Sequence, residues 1–493
     1  MIESSLNRRR TGILLHPTSL PGPRRHGDFG SEAYRFVDFL AAAGQSVWQV
    51  LPLGPTHNGG SPYQCLSVHA GNPLLISVQR LIDQGWLQAN GEAEMDVADE
   101  ARTYATDGPL ARAYRGFREG ADEATRADYY AFLTAAHDWL EDYALFLALR
   151  VRFKHAAWTE WPAPLRDRDG DALAKARRRH HGFIDLVRFQ QFLFYRQWLE
   201  IRRYANERDI LLFGDMPIFV AHDSVDVWAH RDIFNLDREG QPVVVAGVPP
   251  DYFSATGQRW GNPHYRWDVM AEDGYRWWIR RIGGQLQLFD LVRIDHFRGF
   301  ESFWEIPADR GDATEGRWVD GPGAKLFDAL HAHFGRLPFV AEDLGMITPA
   351  VLALRDKYGL PGMKVLQFAF DGSADNPYLP HNHQVDCVIY PGTHDNDTTV
   401  GWYDSLAAGS KEYVMEYLAY PREPMPWPLI RAALESVAQL SIVPMQDVLG
   451  LDGRHRMNTP GTSQGNWRWR FRWDQVPADL AGKLKRMAQI YQR

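Results

Sequence analysis

Three carboxylates in this sequence stand where apolar runs end, and their neighbours suit them to nucleophilic and acid–base chemistry. The first lies in Arg293-Ile294-Asp295-His296-Phe297-Arg298-Gly299, where a two-residue period puts Arg293 and Asp295 on one face of a strand. A guanidinium beside a carboxylate holds it ionised and oriented, as a nucleophile requires; the plainer alternative is a buried ion pair. The second, Glu342, closes the run before Asp343-Leu344-Gly345. An acid/base in that place must keep its proton, so burial or nearby negative charge must raise its pKa, although a Glu there could simply cap the following helix. The third sits in Thr393-His394-Asp395-Asn396-Asp397, a strongly polar finish to an apolar strand. Such a finish suits a polar ligand, with a capped polar turn as the alternative for Asn396 and Asp397. Together the three fit glycoside cleavage: one attacks the anomeric carbon, one protonates the leaving oxygen, and one steadies an oxocarbenium-like transition state.

Something must hold these groups at one place. Eight short apolar runs recur, at Thr11–His16, Val47–Leu53, Leu211–Phe219, Leu291–Phe297, Phe339–Leu344, Met363–Phe370, Cys387–His394 and Ser441–Val448. Helix-period segments separate them, among them Glu32–Ala43, Ile184–Glu207, Tyr275–Leu286 and Lys325–Phe334. Continuous apolar strands alternating with helices predict a parallel sheet covered by helices, and eight of them an α/β fold of the (β/α)₈ TIM-barrel class, with chemistry at the strands' carboxyl ends. We read residues 1–493 as a single catalytic barrel with two inserted subdomains on that face. One, about 72–179 between the second and third strands, is mainly helical; the other, about 235–268 between the third and fourth, is an irregular, Gly-, Pro- and aromatic-rich lid region.

Bulk composition excludes several classes. Lys+Arg 54 against Asp+Glu 62 leaves a net charge of −8, so no basic surplus exists to bind a nucleic-acid backbone. The short cluster Arg177-Arg178-Arg179 reads as a solvated helical segment. No run reaches membrane-spanning length, the N-terminus lacks a signal-peptide apolar core, and the two cysteines, Cys65 and Cys387, suit reduced thiols; we therefore expect a cytoplasmic protein without a membrane partner. No cluster of ligand-like spacing appears, so neither metal nor other cofactor is expected. The 18 Trp, 20 Tyr and 25 Phe could stack on sugar rings, but a rich core takes most of the credit.

Longer strings carry a resemblance. They include Gly12-Ile13-Leu14-Leu15-His16-Pro17-Thr18-Ser19-Leu20-Pro21-Gly22, Ser61-Pro62-Tyr63-Gln64, Gly214-Asp215-Met216-Pro217, Gly247-Val248-Pro249-Pro250-Asp251-Tyr252, Thr256-Gly257-Gln258-Arg259-Trp260-Gly261-Asn262-Pro263 and Asn458-Thr459-Pro460-Gly461-Thr462, with Asn466-Trp467 beyond. End to end the chain resembles the amylomaltase family of 4-α-glucanotransferases, within the α-amylase superfamily. The resemblance implies Asp295 as nucleophile, Glu342 as acid/base and Asp395 as transition-state stabiliser. It implies sugar contacts from Arg293, His296, His394 and Asp215, with Tyr63 as a stacking platform beside Ser61. Asp251, Gln258 and Trp260 match a closing loop, and Asn466 a polar contact. Donors would be α-1,4-glucans or maltooligosaccharides, acceptors glucose or maltooligosaccharides. One departure stands out: Arg24-Arg25-His26 is more basic than the family pattern, which we read as surface variation. Two rivals remain at this point, an amylase-type hydrolase using the same residues and a non-catalytic glucan-binding barrel. The complete carboxylate set argues against the second.

Overall fold

The computed structural model describes residues 6, 8–57, 60–88, 103–250, 254–462 and 464–493. Twelve strands follow in chain order: β1 (Arg10–Leu14), β2 (Val47–Gln49), β3 (Leu211–Pro217), β4 (Val244–Val248), β5 (Gln258–Pro263), β6 (Leu291–Asp295), β7 (Ser302–Pro307), β8 (Arg317–Asp320), β9 (Phe339–Ala341), β10 (Gly362–Val365), β11 (Cys387–Tyr390) and β12 (Leu440–Pro444). Eight of them pair in the order β10-β11-β12-β1-β2-β3-β6-β9, with every pairing parallel. The Ala341 N–H donates to the Pro361 carbonyl at 2.8 Å, which bridges β9 to the start of β10 and brings the ring to near closure. These eight are the eight apolar runs of the sequence, so the (β/α)₈ barrel holds.

Alternation fills the barrel. Leu14, Val47, Phe213, Leu291, Val340, Val388 and Ile442 point into one packed interior cluster, where the Tyr390 hydroxyl donates to Gln49 Oε1 at 2.9 Å. The opposite strand faces meet the covering helices, chief among them His181–Asn206, through buried Trp48, Trp198 and Phe36. Five of the twelve largest fully buried side chains are Trp, so the aromatic content is in large part core. At Gly12, a Cβ would lie 2.2 Å from the Val47 carbonyl of the adjacent strand, which is why β1 has no side chain there.

Between β2 and β3 the described chain makes helices Pro109–Gly120, Glu123–Ala135, His137–Arg152 and Gly170–Arg179 before entering His181–Asn206. That last helix buries two glutamines that grip the segment after β2. Gln191 accepts from Gly71 N at 2.8 Å and donates to its carbonyl at 2.9 Å, and Gln197 does the same for Ser77 at 2.8 and 3.2 Å. Buried amides satisfied on both sides fix a backbone with little play. The segment so held carries Tyr63 to the barrel mouth.

The 235–268 region reads as irregular from sequence, yet it holds β4 and β5. They form an antiparallel sheet ordered β5-β4-β7-β8 with two strands from beyond β6. A strand whose partners lie across the barrel strand β6 has little period of its own to display, because its faces are set by that distant pairing. Gly257 and Gly261 adopt φ +66° and +80°, and a Cβ on Gly257 would meet the Val248 carbonyl at 2.3 Å. Both glycines therefore have a static reason in this turn and edge strand. Among the described residues no helix is long and apolar enough to cross a membrane.

Candidate active site

The carboxyl ends of β6, β9 and β11 bring the three carboxylates to one mouth. On β6, the shared face of Arg293 and Asp295 becomes a contact: Arg293 Nη2 lies 2.8 Å from Asp295 Oδ1. The same guanidinium donates through Nη1 to both oxygens of Asp215 on β3, at 2.9 and 2.7 Å. Asp215 is fully buried and Arg293 nearly so, whereas the Asp295 side chain keeps 31% exposure to the cleft. Burial works against the Arg293 charge, but Asp215 and Asp295 outweigh it and hold the guanidinium firmly protonated.

Glu342 is stitched to the residue after Asp295. His296 adopts left-handed backbone angles, φ 57° and ψ 49°, which turns its N–H onto Glu342 Oε2 at 2.7 Å. Glu342 Oε1 accepts from Leu344 N at 3.0 Å. Burial pushes the Glu342 pKa from 4.5 up to about 7; Arg293 opposes the rise, and Asp295 adds to it. Asp295 is pushed from 3.8 to about 6, again by burial first, with Arg293 opposing and Asp215 and Asp395 adding to the rise. Burial thus raises both carboxyls, and the Asp295 charge raises Glu342 further.

His394 and Asp395 end the β11 run. Tyr63 lies flat on His394, ring centroids 5.3 Å apart at 12°, and its hydroxyl reaches Asp215 Oδ2 at 2.8 Å and His394 Nε2 at 2.9 Å. His394 Nε2 is also 3.3 Å from Asp395 Oδ2. The Tyr63 hydroxyl thus joins the Arg293–Asp215 pair to the His394–Asp395 pair, and burial with the Asp215 charge keeps that phenol protonated. Asn396 accepts from Thr393 N and Oγ1, both at 2.9 Å, so this residue does cap a polar turn.

The other sequence-derived residues fall into place unevenly. Trp260 meets His296 edge to face at 4.8 Å and donates from Nε1 to Gln258 Oε1 at 3.1 Å. His296 is half-buried, desolvation pushes its pKa down to about 3, and its Nε2 has no partner among the described residues. Ser61 Oγ receives the Tyr63 N–H at 3.4 Å. Asn466 spends its amide inside its own loop, accepting from Thr459 N at 2.9 Å and donating to the Thr462 carbonyl at 3.0 Å. Asp251 lies outside the described residues.

Sequence reasoning assigned no role to Arg456 or Asn458, which grip Asp395 from the segment after β12. Asn458 Nδ2 donates to Asp395 Oδ1 at 2.7 Å, and Arg456 Nη2 to the Asp395 carbonyl at 2.9 Å. Trp467 stands 6.0 Å from both Tyr63 and His394. The only signal was that Asn458 and Trp467 lie in or beside conspicuous strings; nothing local pointed at Asp395, some sixty positions away. Cys65 and Cys387 are free, and burial pushes the Cys65 thiol up to about 12, the mark of an inert packing residue.

A parallel barrel with carboxylates, an arginine, histidines and flat aromatic rings at its carboxyl mouth is a carbohydrate-active barrel enzyme. Residues 15–475 match the family described as 4-alpha-glucanotransferase, and the chain belongs to that family. It is 50% identical over 495 residues to the 4-alpha-glucanotransferase of Thermus thermophilus, covering 98% of this chain and 99% of that one. The Synechocystis enzyme of the same description is 48% identical over 500 residues, covering 99% of each. An amylomaltase from Streptococcus agalactiae, solved in complex with acarbose, superposes with a TM-score of 0.93 at 39% identity, over 99% of this chain and 100% of that one. The protein is accordingly an enzyme with 4-α-glucanotransferase activity on α-1,4-glucans.

Proposed function

We propose that transfer proceeds by a retaining double displacement through a covalent glycosyl-enzyme on Asp295. The observation that carries this reading is the placement of the two carboxyls: Asp295 is ion-paired to Arg293 at 2.8 Å, and Glu342, pushed up to about 7 chiefly by burial, is anchored on the N–H of the next residue, His296, at 2.7 Å. Glu342 protonates the glycosidic O4 as an Asp295 oxygen attacks C1; the C1–O4 bond breaks, and the fragment carrying the new 4-hydroxyl leaves. An acceptor glucose or maltooligosaccharide then offers its 4-hydroxyl, Glu342 takes that proton, and the new C1–O4 bond expels Asp295. Inversion twice gives net retention of the α-linkage.

Asp395 serves as transition-state stabiliser, held at the anomeric centre by Asn458 and by the His394 contact. Tyr63 offers its ring as a platform for the transferred sugar, and the unpartnered His296 Nε2 is suited to a sugar hydroxyl. Arg293, Asp215 and His394 complete the polar floor. Ser61 and Asn466 are assigned to the cleft walls, and Asp251, Gln258 and Trp260 to a covering loop that excludes water in favour of the acceptor. The acarbose carried by the Streptococcus relative agrees with a cleft built for short α-glucosides.

The test is incubation with maltotriose, following the oligosaccharide ladder and total reducing ends together. Transfer yields glucose and longer maltodextrins at constant reducing ends. A steady rise in reducing ends without longer products makes the protein a hydrolase on the same scaffold. Trapping of a mass adduct on Asp295 with a fluorinated glucosyl donor tests the covalent step separately.

A further inference from the structure

Among the described residues, seven of the eight junctions around the barrel are parallel ladders, and the eighth, between β9 and β10, is not. There the main chain contributes the Ala341–Pro361 hydrogen bond at 2.8 Å, and a side chain takes over the next position. Asp343 Oδ1 accepts from the Met363 N–H of β10 at 2.7 Å. Its other oxygen, Oδ2, pairs with Arg355, which lies on the helix Pro349–Lys357 that follows β9. The Asp343 side chain is 3% exposed, so a buried charge is satisfied at both oxygens. Gly362 makes room for the pair: a Cβ there would lie 2.4 Å from Asp343 Oδ2 and 2.6 Å from Arg355 Nη1.

This seam borders the chemistry. Glu342 precedes Asp343 in the chain, and alternation sends the two side chains opposite ways, one to the mouth and one to the seam. On the β6 side Glu342 is held by main chain: its N–H donates to the Ile294 carbonyl at 3.0 Å, and its carbonyl accepts from Phe297 N–H at 3.1 Å. On the β10 side the anchor is the Asp343 carboxylate. What that anchor fixes is the peptide between Asp343 and Leu344, whose N–H donates to Glu342 Oε1 at 3.0 Å. A residue gripped at both carboxylate oxygens has little freedom in φ and ψ. The direction of the Leu344 N–H, and with it the Glu342 carboxyl, is therefore set at the seam.

We propose that Asp343 is a positioning residue for the transfer reaction: by joining β9 to β10 in place of a ladder, with Arg355 as its counter-ion, it aims the Glu342 carboxyl at the glycosidic oxygen. The inference rests on the reading of Glu342 as acid/base. An acid that is present but misaimed fails where the leaving group needs a proton, and is not missed where the leaving group departs as an anion.

The test compares two donors in the Asp343→Asn variant. Asparagine keeps the shape of the side chain, but its NH2 must face either Arg355 or the Met363 N–H, each of them a donor. With maltotriose, whose leaving sugar needs a proton, kcat should fall by about tenfold to a hundredfold at unchanged KM. With maltotriosyl α-fluoride as donor and azide as acceptor, fluoride leaves C1 as the anion and azide displaces Asp295 without giving up a proton. That rate should stay within about twofold of wild type, since neither step uses Glu342. Arg355→Lys keeps a cation and the Asp343–Met363 bond, and should show the same pattern with a smaller loss on maltotriose, about twofold to fivefold. It decides the matter if the Asn variant does not fold. Equal losses on both donors, the mark of a purely structural role, or an unchanged maltotriose kcat in the variants that fold, overturns the proposal. Glu342→Gln in the same two assays separates this inference from the reading beneath it. A Gln variant spared on the fluoride, beside an Asp343→Asn variant that is not, overturns the positioning role alone; a Gln variant that is not spared overturns the acid/base reading itself.

Discussion

Replacing Glu342 by glutamine should remove activity and at the same time make stability less sensitive to alkaline pH, a pairing that follows from the burial of one proton. The native carboxyl titrates near 7 against 4.5 in an ordinary setting, chiefly because its site disfavours the charge. That difference corresponds to about 3 kcal/mol of folding free energy; water in the cleft reduces it to about 2 kcal/mol. The sign is fixed by which state binds more protons. Below pH 4.5 folded and unfolded chains both carry the proton, and the group contributes nothing against pH. Between 4.5 and about 7 the unfolded chain loses its proton first, so stability falls as pH rises, and above 7 the whole penalty stands. The substituted amide stays neutral throughout, but its carbonyl oxygen accepts from only one of the His296 and Leu344 N–H groups and its NH2 meets the other as a second donor, a cost of about 1–3 kcal/mol at every pH. The Glu342→Gln variant should therefore melt below wild type at pH 5 and gain on it by about 2 °C between pH 5 and pH 8, since unfolding entropy for 493 residues is about 1 kcal/mol per degree. Thermal unfolding of both proteins across pH 5–8 is the assay, with kcat/KM of wild type expected to fall on the alkaline side near pH 7. A melting difference that does not change with pH, or one that moves against the variant as pH rises, refutes the assignment of a buried, proton-holding Glu342.

Asp295→Asn should lose turnover by roughly 10³-fold or more while melting near wild type, because Arg293 keeps its paired contact to Asp215; residual activity near wild type removes Asp295 as nucleophile. Asn458→Ala frees Asp395 from its 2.7 Å clamp and should lower kcat by about tenfold to a hundredfold with little change in KM, and Asn458→Asp, which adds a like charge, should fall further; an unchanged kcat would show the contact to be idle. Gly12→Ala drives a Cβ to 2.2 Å from the Val47 carbonyl and should cost about 1–3 kcal/mol by denaturant unfolding, against no loss if β1 and β2 can part freely.

Local periodicity determined the barrel. Each of the eight runs is apolar on both faces because a strand packed against helices outside and side chains inside has no face for water, and that requirement is written in a handful of consecutive residues. The same locality exposed the Arg293–Asp295 face, two positions apart on one strand. Tertiary structure decided what depends on groups far apart in the chain. The pairing of β4 and β5 with strands beyond β6, the grip of Asn458 on Asp395, and the Tyr63 hydroxyl between Asp215 and His394 join positions separated by tens to hundreds of residues. No local pattern specifies such partners, since a lone polar residue carries no period. The raised pKa of Glu342 is of the same kind: the sequence supplied a carboxyl at a strand end, and only the closure of the barrel around it, with Asp295 alongside and water held back, sets where its proton comes off.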